Sequence, residues 1–275
     1  MQPKRLSAWL YPHAIEKEYK KELQIVAIAL KTATKEVLKD ARFDDDDFER
    51  ESFGRRLMSS VMDIANKVKE TTEAAIQKLN GISMRLNLFN KKQFHKVVRS
   101  GLGADVLTRE EWLNSSLEDW AEENARLIRD ISEEYQRKIA AKVAAAVVDG
   151  VAIERLTDDV MAMLDLPATR ANLIAIDQTQ KLNANLTRKR QQEIGVDKYR
   201  WRGVIDEKER PEHLKREGKV FSWSDPPHDG HPGQPIRCRC WAEMILPELE
   251  DIDGIIFGDG GSPALQRELQ RRGMI

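Results

Sequence analysis

The residue types best suited to chemistry stand close to the C-terminal end of the 275-residue chain. Cys238 and Cys240 are its two cysteines, and side chains two positions apart on a strand point to the same face. Thiolate and imidazole are common zinc ligands, so this pair together with His213 could supply three of the four ligands of a zinc ion. We assign the fourth position to His231, with two alternatives: His228 and Asp206.

A role without metal is also consistent with the two cysteines. The CxC spacing differs from the CxxC spacing of common zinc sites, and the chain has no second cysteine pair. Cys238 and Cys240 could be small buried side chains packed under Trp201 or Trp241. If zinc is bound, we expect it to be structural, because a small domain with few aliphatic residues gains folding energy from a metal ion.

The charged stretch between residues 206 and 216 allows two interpretations. A carboxylate near His213 could serve in hydrolysis as a general acid or base. The stretch could instead form a solvated, salt-bridged turn, in which Asp206, Arg210 and His213 make a hydrogen-bonded lock between two strands. Together with Gly218, Asp206 and Arg210 form the set to which we assign a structural role.

Basic residues are concentrated between residues 181 and 202. Clustered lysines and arginines are sufficient for phosphate contacts, so Arg188, Lys189 and Arg190 are candidates for contact with DNA. No pattern for reading bases accompanies them, and the alternative is a solvated helix face. The net charge of -1 gives the molecule as a whole no field that would attract nucleic acid.

Composition and motifs argue against several other classes of protein. Two cysteines make no disulfide framework, and residues two apart are poorly placed for an unstrained bridge, so we expect a reducing cytoplasm. The N-terminal segment lacks the features of a signal peptide, and no stretch approaches the roughly 18 apolar residues of a membrane span. The sequence also lacks P-loop, dinucleotide-binding, HExxH and GxSxG motifs, so we expect no enzymatic activity.

The elements that must position these residues are mostly helices. Apolar residues recur at helical spacing through most of the chain before residue 194, and a long helix is predicted over residues 14–38. A capping box at Thr108 and Glu111 predicts a helix from about residue 110. Ser132 is expected to cap the next helix.

After Gly195 the pattern changes to short strands, prolines and turns. Strands are predicted around residues 199–204, 220–223 and 238–244. The predicted fold class is therefore mainly α, with a helical region over residues 1–194 and a small α+β domain over residues 195–247. For residues 248–275 we predict a flexible tail or a docking helix.

The segment from Tyr199 to Ile245 resembles the C-terminal domain of Mu F-like phage head morphogenesis proteins. The shared pattern is an aromatic strand, a charged turn with a histidine, a glycine before an aromatic residue, a Pro-Pro loop and a final CRC. The matching residues are Tyr199, Trp201, Asp206, Arg210, His213, Gly218, Phe221, Pro226, Pro227, Pro232, Gly233, Cys238, Arg239 and Cys240. Weaker similarity extends upstream to about residue 110. The chain departs from the pattern at Arg237, where we expect asparagine or another small polar residue.

The resemblance implies a phage minor head protein, which is a low-copy structural component that acts in procapsid assembly near the portal. The implied partners are the portal protein, scaffold or major capsid protein and phage DNA, and no membrane partner is expected. The implied locations are the host cytoplasm during assembly and then the virion head, and a prophage copy would look the same. The alternatives are a zinc-dependent hydrolase or nuclease, and a DNA-binding protein that acts in genome packaging or ejection.

Overall fold

The computed structural model describes residues 7–42, 50–103, 105–106, 108–149, 151, 153–245 and 270–271. The helices that precede the first strand are α1 (His13–Arg42), α2 (Arg50–Gln77), α3 (Leu79–Leu102), α4 (Leu113–Asp149), α5 (Ile153–Ala162) and α6 (Leu166–Glu193). The elements that follow are β1 (Lys198–Arg202), α7 (Pro211–Arg216), β2 (Val220–Ser222) and β3 (Trp241–Met244). The predicted fold class, mainly α with a small α+β part at the C-terminal side, is confirmed.

The chain divides into two compact units. The described residues that lie within 14–83 and 116–176 form the helical unit, and those that lie within 7–13, 84–115 and 177–275 form the sheet unit. The residues after 195 thus pack with helical segments that precede them in the sequence. Whether residues 195–247 form a domain that folds by itself stays a prediction, and the predicted tail lies almost wholly outside the described residues.

Helix α1 of the helical unit buries one face, as its apolar spacing predicts. Tyr19, Leu23 and Val26 are fully buried, at the spacing that places side chains on one side of a helix. The Tyr19 hydroxyl donates a 2.6 Å hydrogen bond to Oδ1 of Asn124 on α4. Within the part of the chain that the structure describes, no helix is both long enough and apolar enough to cross a bilayer.

Neither of the two helix starts predicted from capping residues in the region of helix α4 is correct. The helix does not restart at Ser132, which is buried inside it and accepts a 2.7 Å hydrogen bond from Nε2 of Gln136. The helix also begins later than the capping box predicts, because Glu110 has a φ of +52°, outside the helical region. Thr108 donates its hydroxyl hydrogen bond to the Glu110 carboxylate, so it does not cap α4.

The sheet unit contains a three-stranded antiparallel sheet with the order β2-β1-β3. Tyr199 on the central strand pairs with Phe221 on one side and with Met244 on the other. One apolar core of this unit comprises Phe94, Val97, Val98, Val196 and Met244, and Trp9 packs against it.

Helix α6 positions the segment that leads into β3. Nε2 of Gln180 donates a 2.9 Å hydrogen bond to the carbonyl of Cys240, and Nε2 of Gln191 donates a 3.2 Å hydrogen bond to the carbonyl of Ala242. The two glutamines lie about three helical turns apart, so their side chains project from the same face of α6. The backbone on both sides of Trp241 is therefore held by one helix.

Candidate metal centre

A histidine and two cysteines meet in the sheet unit, as their residue types predicted. His213 lies on α7, and Cys238 and Cys240 lie on the segment before β3. All three side chains are buried, and their potential ligand atoms lie within 4.8 Å of one another. Nδ1 of His213 is 3.7 Å from Sγ of Cys238 and 3.4 Å from Sγ of Cys240. We call these three residues the His–Cys cluster.

Glu209 is a fourth potential ligand that the sequence interpretation missed. Its Oε1 atom is 3.4 Å from Nδ1 of His213 and 3.6 Å from Sγ of Cys240. The Glu209 side chain is only 4% exposed, whereas the sequence interpretation placed it in a solvated turn. The signal that could have identified it is the spacing of four residues from His213, across the proline that begins α7.

Asp229 fixes the orientation of His213. Its Oδ2 atom lies 2.9 Å from Nε2 of His213, and its Oδ1 atom accepts a 2.6 Å hydrogen bond from Nη1 of Arg216. A carboxylate bound to one ring nitrogen sets the tautomer and the direction of the other nitrogen. Nδ1 of His213 therefore faces the two sulfur atoms.

The groups of the cluster shift one another's pKa values. Burial lowers the pKa of His213, but hydrogen bonds to neighbouring groups, first among them Cys238, outweigh burial and raise the pKa to about 10. The hydrogen bond from Cys240 outweighs burial and lowers the pKa of Cys238 to about 5. The same hydrogen bond, together with burial, raises the pKa of Cys240. Without a metal, these shifts favour a thiolate at Cys238 beside a protonated His213.

His231, the predicted fourth ligand, lies among aromatic side chains and not with the His–Cys cluster. Its Nδ1 atom is 2.8 Å from the hydroxyl of Tyr199, and its ring packs edge-on against Trp223 with centroids 4.9 Å apart. Burial lowers the pKa of His231, and the charge of Arg188 lowers it further. The alternative ligand His228 is exposed.

Asp206, Arg210 and Gly218 all make structural contacts. Asp206, the other alternative ligand, accepts two 2.6 Å hydrogen bonds from the guanidinium of Arg239. Arg210 donates a hydrogen bond to the carbonyl of Ile236. Gly218 has a φ of +78° and donates its N–H to a carbonyl of β1. Asp206 and Arg210 thus tie the turn before α7 to the segment before β3, and not to the second strand as the predicted lock between two strands would.

The assignment of Arg190 to DNA contact needs correction, because this residue is fully buried. Its guanidinium donates hydrogen bonds to the carboxylate of Glu110 and to the side-chain oxygens of Asn87 and Asn90. The hydrogen-bond donors and the positive charge of Arg190 are thus paired within the sheet unit. Arg190 is therefore a structural residue and offers no group to a phosphate.

Arg188 and Lys189 are partly exposed. Nη2 of Arg188 donates a 3.3 Å hydrogen bond to Asn185, and Nζ of Lys189 lies 5.3 Å from the ring centroid of Trp112. Consecutive residues of an α-helix point in directions about 100° apart, so three adjacent basic residues do not form one surface. DNA contact by Arg188 and Lys189 stays a prediction.

The fold and the site together define a mainly helical protein whose small antiparallel sheet carries a buried histidine–cysteine cluster. Residues 137–243 match the family described as Phage Mu protein F like protein, so the chain contains a Mu F-like region. The match begins within α4 and includes α6 and the whole His–Cys cluster. The resemblance to Mu F-like proteins stated from the sequence is confirmed over these residues.

A protein of Haemophilus influenzae is also similar to this chain. The two are 36% identical over 130 residues, which are 47% of this chain and 29% of that relative. The chain thus spans less than a third of the length of this relative. No solved structure matches the chain.

Proposed function

We propose that this protein is a minor head protein that acts as a low-copy structural component in procapsid assembly beside the portal. The observation that carries the proposal is the match of residues 137–243 to a family of phage head-related proteins. The matched region contains β1, α7, β2, most of β3 and the His–Cys cluster.

The proposed partners follow from that role. The main partner is the portal protein, and scaffold or major capsid protein are further partners. Assembly would take place in the host cytoplasm, after which the protein stays in the virion head. Packaged DNA is a further contact, for which Arg188 and Lys189 offer partly exposed charges, since phosphate contacts require only accessible lysine and arginine side chains.

A hydrolase or nuclease function has weaker support. A catalytic zinc site keeps an open position for water or substrate, whereas the carboxylate of Glu209 lies against the His–Cys cluster at the place where such a position would be needed. We therefore propose a structural role without enzymatic activity.

Co-purification with the portal protein tests the assembly role. The chain would be co-expressed with an affinity-tagged portal protein from the same phage or prophage genome, and in parallel with the tagged major capsid protein. We expect the portal protein to retain the chain after a high-salt wash. Elution of the chain as a free protein, with the portal protein recovered folded and assembled, would contradict the proposal.

A parallel binding measurement with a fluorescent DNA duplex tests the DNA-binding alternative. A protein whose main role is DNA binding shows tight binding that weakens steeply as salt increases. We expect weak binding at moderate salt. Tight, salt-dependent binding together with no retention by the portal protein would favour the alternative.

A further inference from the structure

We propose that the His–Cys cluster and Glu209 together bind one zinc ion, and that this ion has a structural role. This site does not depend on the proposed function in head assembly, because it follows from four side chains and their separations. It also replaces His231, the fourth ligand suggested by the sequence, with a carboxylate.

Four separations among the potential ligand atoms match those of a tetrahedral zinc site. With usual zinc–ligand bond lengths, tetrahedral geometry puts sulfur and nitrogen about 3.6 Å apart, nitrogen and oxygen about 3.4 Å apart, and sulfur and oxygen about 3.6 Å apart. The sulfur atoms of the cluster lie 3.4 and 3.7 Å from Nδ1 of His213. Oε1 of Glu209 lies 3.4 Å from that nitrogen and 3.6 Å from Sγ of Cys240. His213, Cys238 and Cys240 are thus placed as three ligands, whose atoms all lie within 4.8 Å of one another. Glu209 approaches from the side of His213 and Cys240, and its carboxylate would move toward Cys238 to complete the coordination.

The charges of these four groups also favour a divalent cation. Glu209 and the cysteines are buried, and burial of a carboxylate beside a thiolate is unfavourable unless positive charge offsets it. Nη2 of Arg239 lies 3.8 Å from Oε2 of Glu209. Two thiolates and one carboxylate carry one more negative charge than zinc offsets, and Arg239, which is also paired with Asp206, offsets part of the remaining charge.

Groups around the cluster hold the ligands in the orientation that a metal needs. Asp229 binds the ring nitrogen of His213 that faces away from the sulfur atoms, which is the arrangement found around metal-bound histidines. The N–H of Gly233 lies 3.3 Å from Sγ of Cys238 and donates a hydrogen bond to it. The ligands are thus oriented by contacts outside the proposed coordination sphere.

A zinc ion at this position would join three segments of the sheet unit. Glu209 lies in the turn after β1, His213 lies on α7, and the cysteines lie on the segment before β3. The core beside them consists of aromatic residues, cysteines and one alanine: Tyr199, Trp201, Trp223, Cys238, Cys240 and Ala242, with Phe221 packed against it. Since this core lacks large aliphatic side chains, the metal supplies stability that side-chain packing alone does not.

Metal binding by the purified full-length chain under reducing conditions tests the proposal. We expect about one zinc per chain by mass spectrometry, which is the stoichiometry of a single closed site. With cobalt as the probe, we expect absorption bands of tetrahedral cobalt with thiolate ligands. Glu209→Gln should weaken zinc affinity by more than the roughly 10–100-fold that changes to groups outside the coordination sphere produce. Glu207→Gln, on the exposed side of the same turn, is the matched control and should bind like the parent chain.

Circular dichroism of each variant shows whether a loss of zinc binding is due to loss of a ligand or to loss of the fold. The variant His231→Gln tests whether His231 is the fourth ligand in place of Glu209. The proposal fails if the parent chain binds no zinc, or if Glu209→Gln binds zinc and cobalt as the parent does. It also fails in its choice of fourth ligand if His231→Gln, and not Glu209→Gln, changes the cobalt spectrum of a folded protein.

Discussion

The guanidinium of Arg190 and the carboxylate of Glu110 form a buried ion pair, in which Nε of Arg190 lies 3.0 Å from Oε1 of Glu110. The arginine lies near the C-terminal end of α6, and the glutamate lies in the connection before α4 with a φ of +52°. The pair fixes this connection against α6 within the sheet unit. The carboxylate of Glu193 adds to the contact by accepting hydrogen bonds from the backbone N–H groups of Arg109 and Glu110.

Removal of the arginine should destabilise the protein strongly. We expect Arg190→Ala to lower the free energy of unfolding by about 3–5 kcal/mol, because it leaves the buried Glu110 charge without its main partner. Urea unfolding monitored by circular dichroism measures the change. Gln192→Ala, at an exposed position of the same helix, should change the stability by less than about 0.5 kcal/mol. Equal effects of the two substitutions would contradict the structural role of Arg190.

The same ion pair predicts how stability depends on pH. Burial would raise the pKa of Glu110, but the hydrogen bonds and charge of Arg190, with smaller contributions from Thr108 and Lys91, outweigh burial and lower the pKa. A carboxyl group whose pKa is lowered by folding stabilises the protein above its unfolded pKa of about 4.3, and this contribution is lost as the pH falls through the folded pKa. Between about pH 5 and pH 3, stability should therefore fall less steeply in Glu110→Gln than in the parent chain. Parallel stability curves for the two proteins would show that Glu110 does not titrate in this way.

Arg237 has a left-handed backbone conformation, which asparagine adopts more readily than arginine does. Its φ is +54°, and its N–H donates a 3.0 Å hydrogen bond to Oδ1 of Asp177. Asparagine or a small polar residue is what the family pattern leads us to expect here. We predict that Arg237→Asn raises the stability by up to about 1 kcal/mol, measured by thermal unfolding. Arg237→Val should lower it, and the opposite order would contradict this explanation.

Gly233 allows the loop before the cysteines to approach α6 closely. A Cβ atom at this position would lie 2.5 Å from Cβ of Ala184 and 3.1 Å from Nε2 of Gln180, and the φ of Gly233 is +86°. Gly233→Ala should therefore lower the free energy of unfolding by about 2–4 kcal/mol, through both overpacking and backbone strain. Gly195 also has a positive φ, but a Cβ atom added there would meet no atom within 4 Å. Gly195→Ala should therefore lower the free energy of unfolding by only about 1–2 kcal/mol.

A second substitution separates the two contributions at Gly233. In the background of Gly233→Ala, the change Ala184→Gly removes the clashing atom and should restore part of the lost stability. The comparison is a double-mutant cycle measured by urea unfolding. No recovery would indicate that the close approach to α6 is not the cause of the destabilisation.

Metal removal should affect the sheet unit first. After chelation under reducing conditions, we expect faster amide hydrogen exchange in residues 199–244, because the proposed zinc ion joins the segments around the sheet. Exchange in α1 of the helical unit should change little. A Cys238→Ser/Cys240→Ser variant should exchange fast in the sheet with or without the chelator. Unchanged exchange in the parent chain would indicate a cluster stabilised by packing alone.

The sequence predicts those features that depend on local pattern or on residue type. Helical spacing predicts α1 from local pattern, and the cluster of the cysteine pair with His213 is predicted from residue type, although His213 lies 25 residues before Cys238. His231 was placed incorrectly since it lies in an irregular loop, whose path follows from its packing against Tyr199 and Trp223.

Buried charges were the features that local pattern could not identify. Arg190 and Glu209 each stand among other charged residues, and apart from the spacing of four between Glu209 and His213, nothing in their neighbourhoods distinguishes them from solvated side chains. Their burial depends on partners far away in the sequence: Arg190 binds Asn87, Asn90 and Glu110, and Glu209 contacts Cys240 and Arg239. Long-range packing therefore decides which charges of this chain become structural.

The number of copies of this chain in procapsids made with and without the portal protein tests its proposed function most directly. The measurement is quantitative mass spectrometry of purified particles, with the major capsid protein as the internal reference. A low-copy minor head protein beside the portal predicts a few copies per particle and none in particles that lack the portal protein. The same number in both kinds of particle, or an abundance like that of the major capsid protein, would contradict the account.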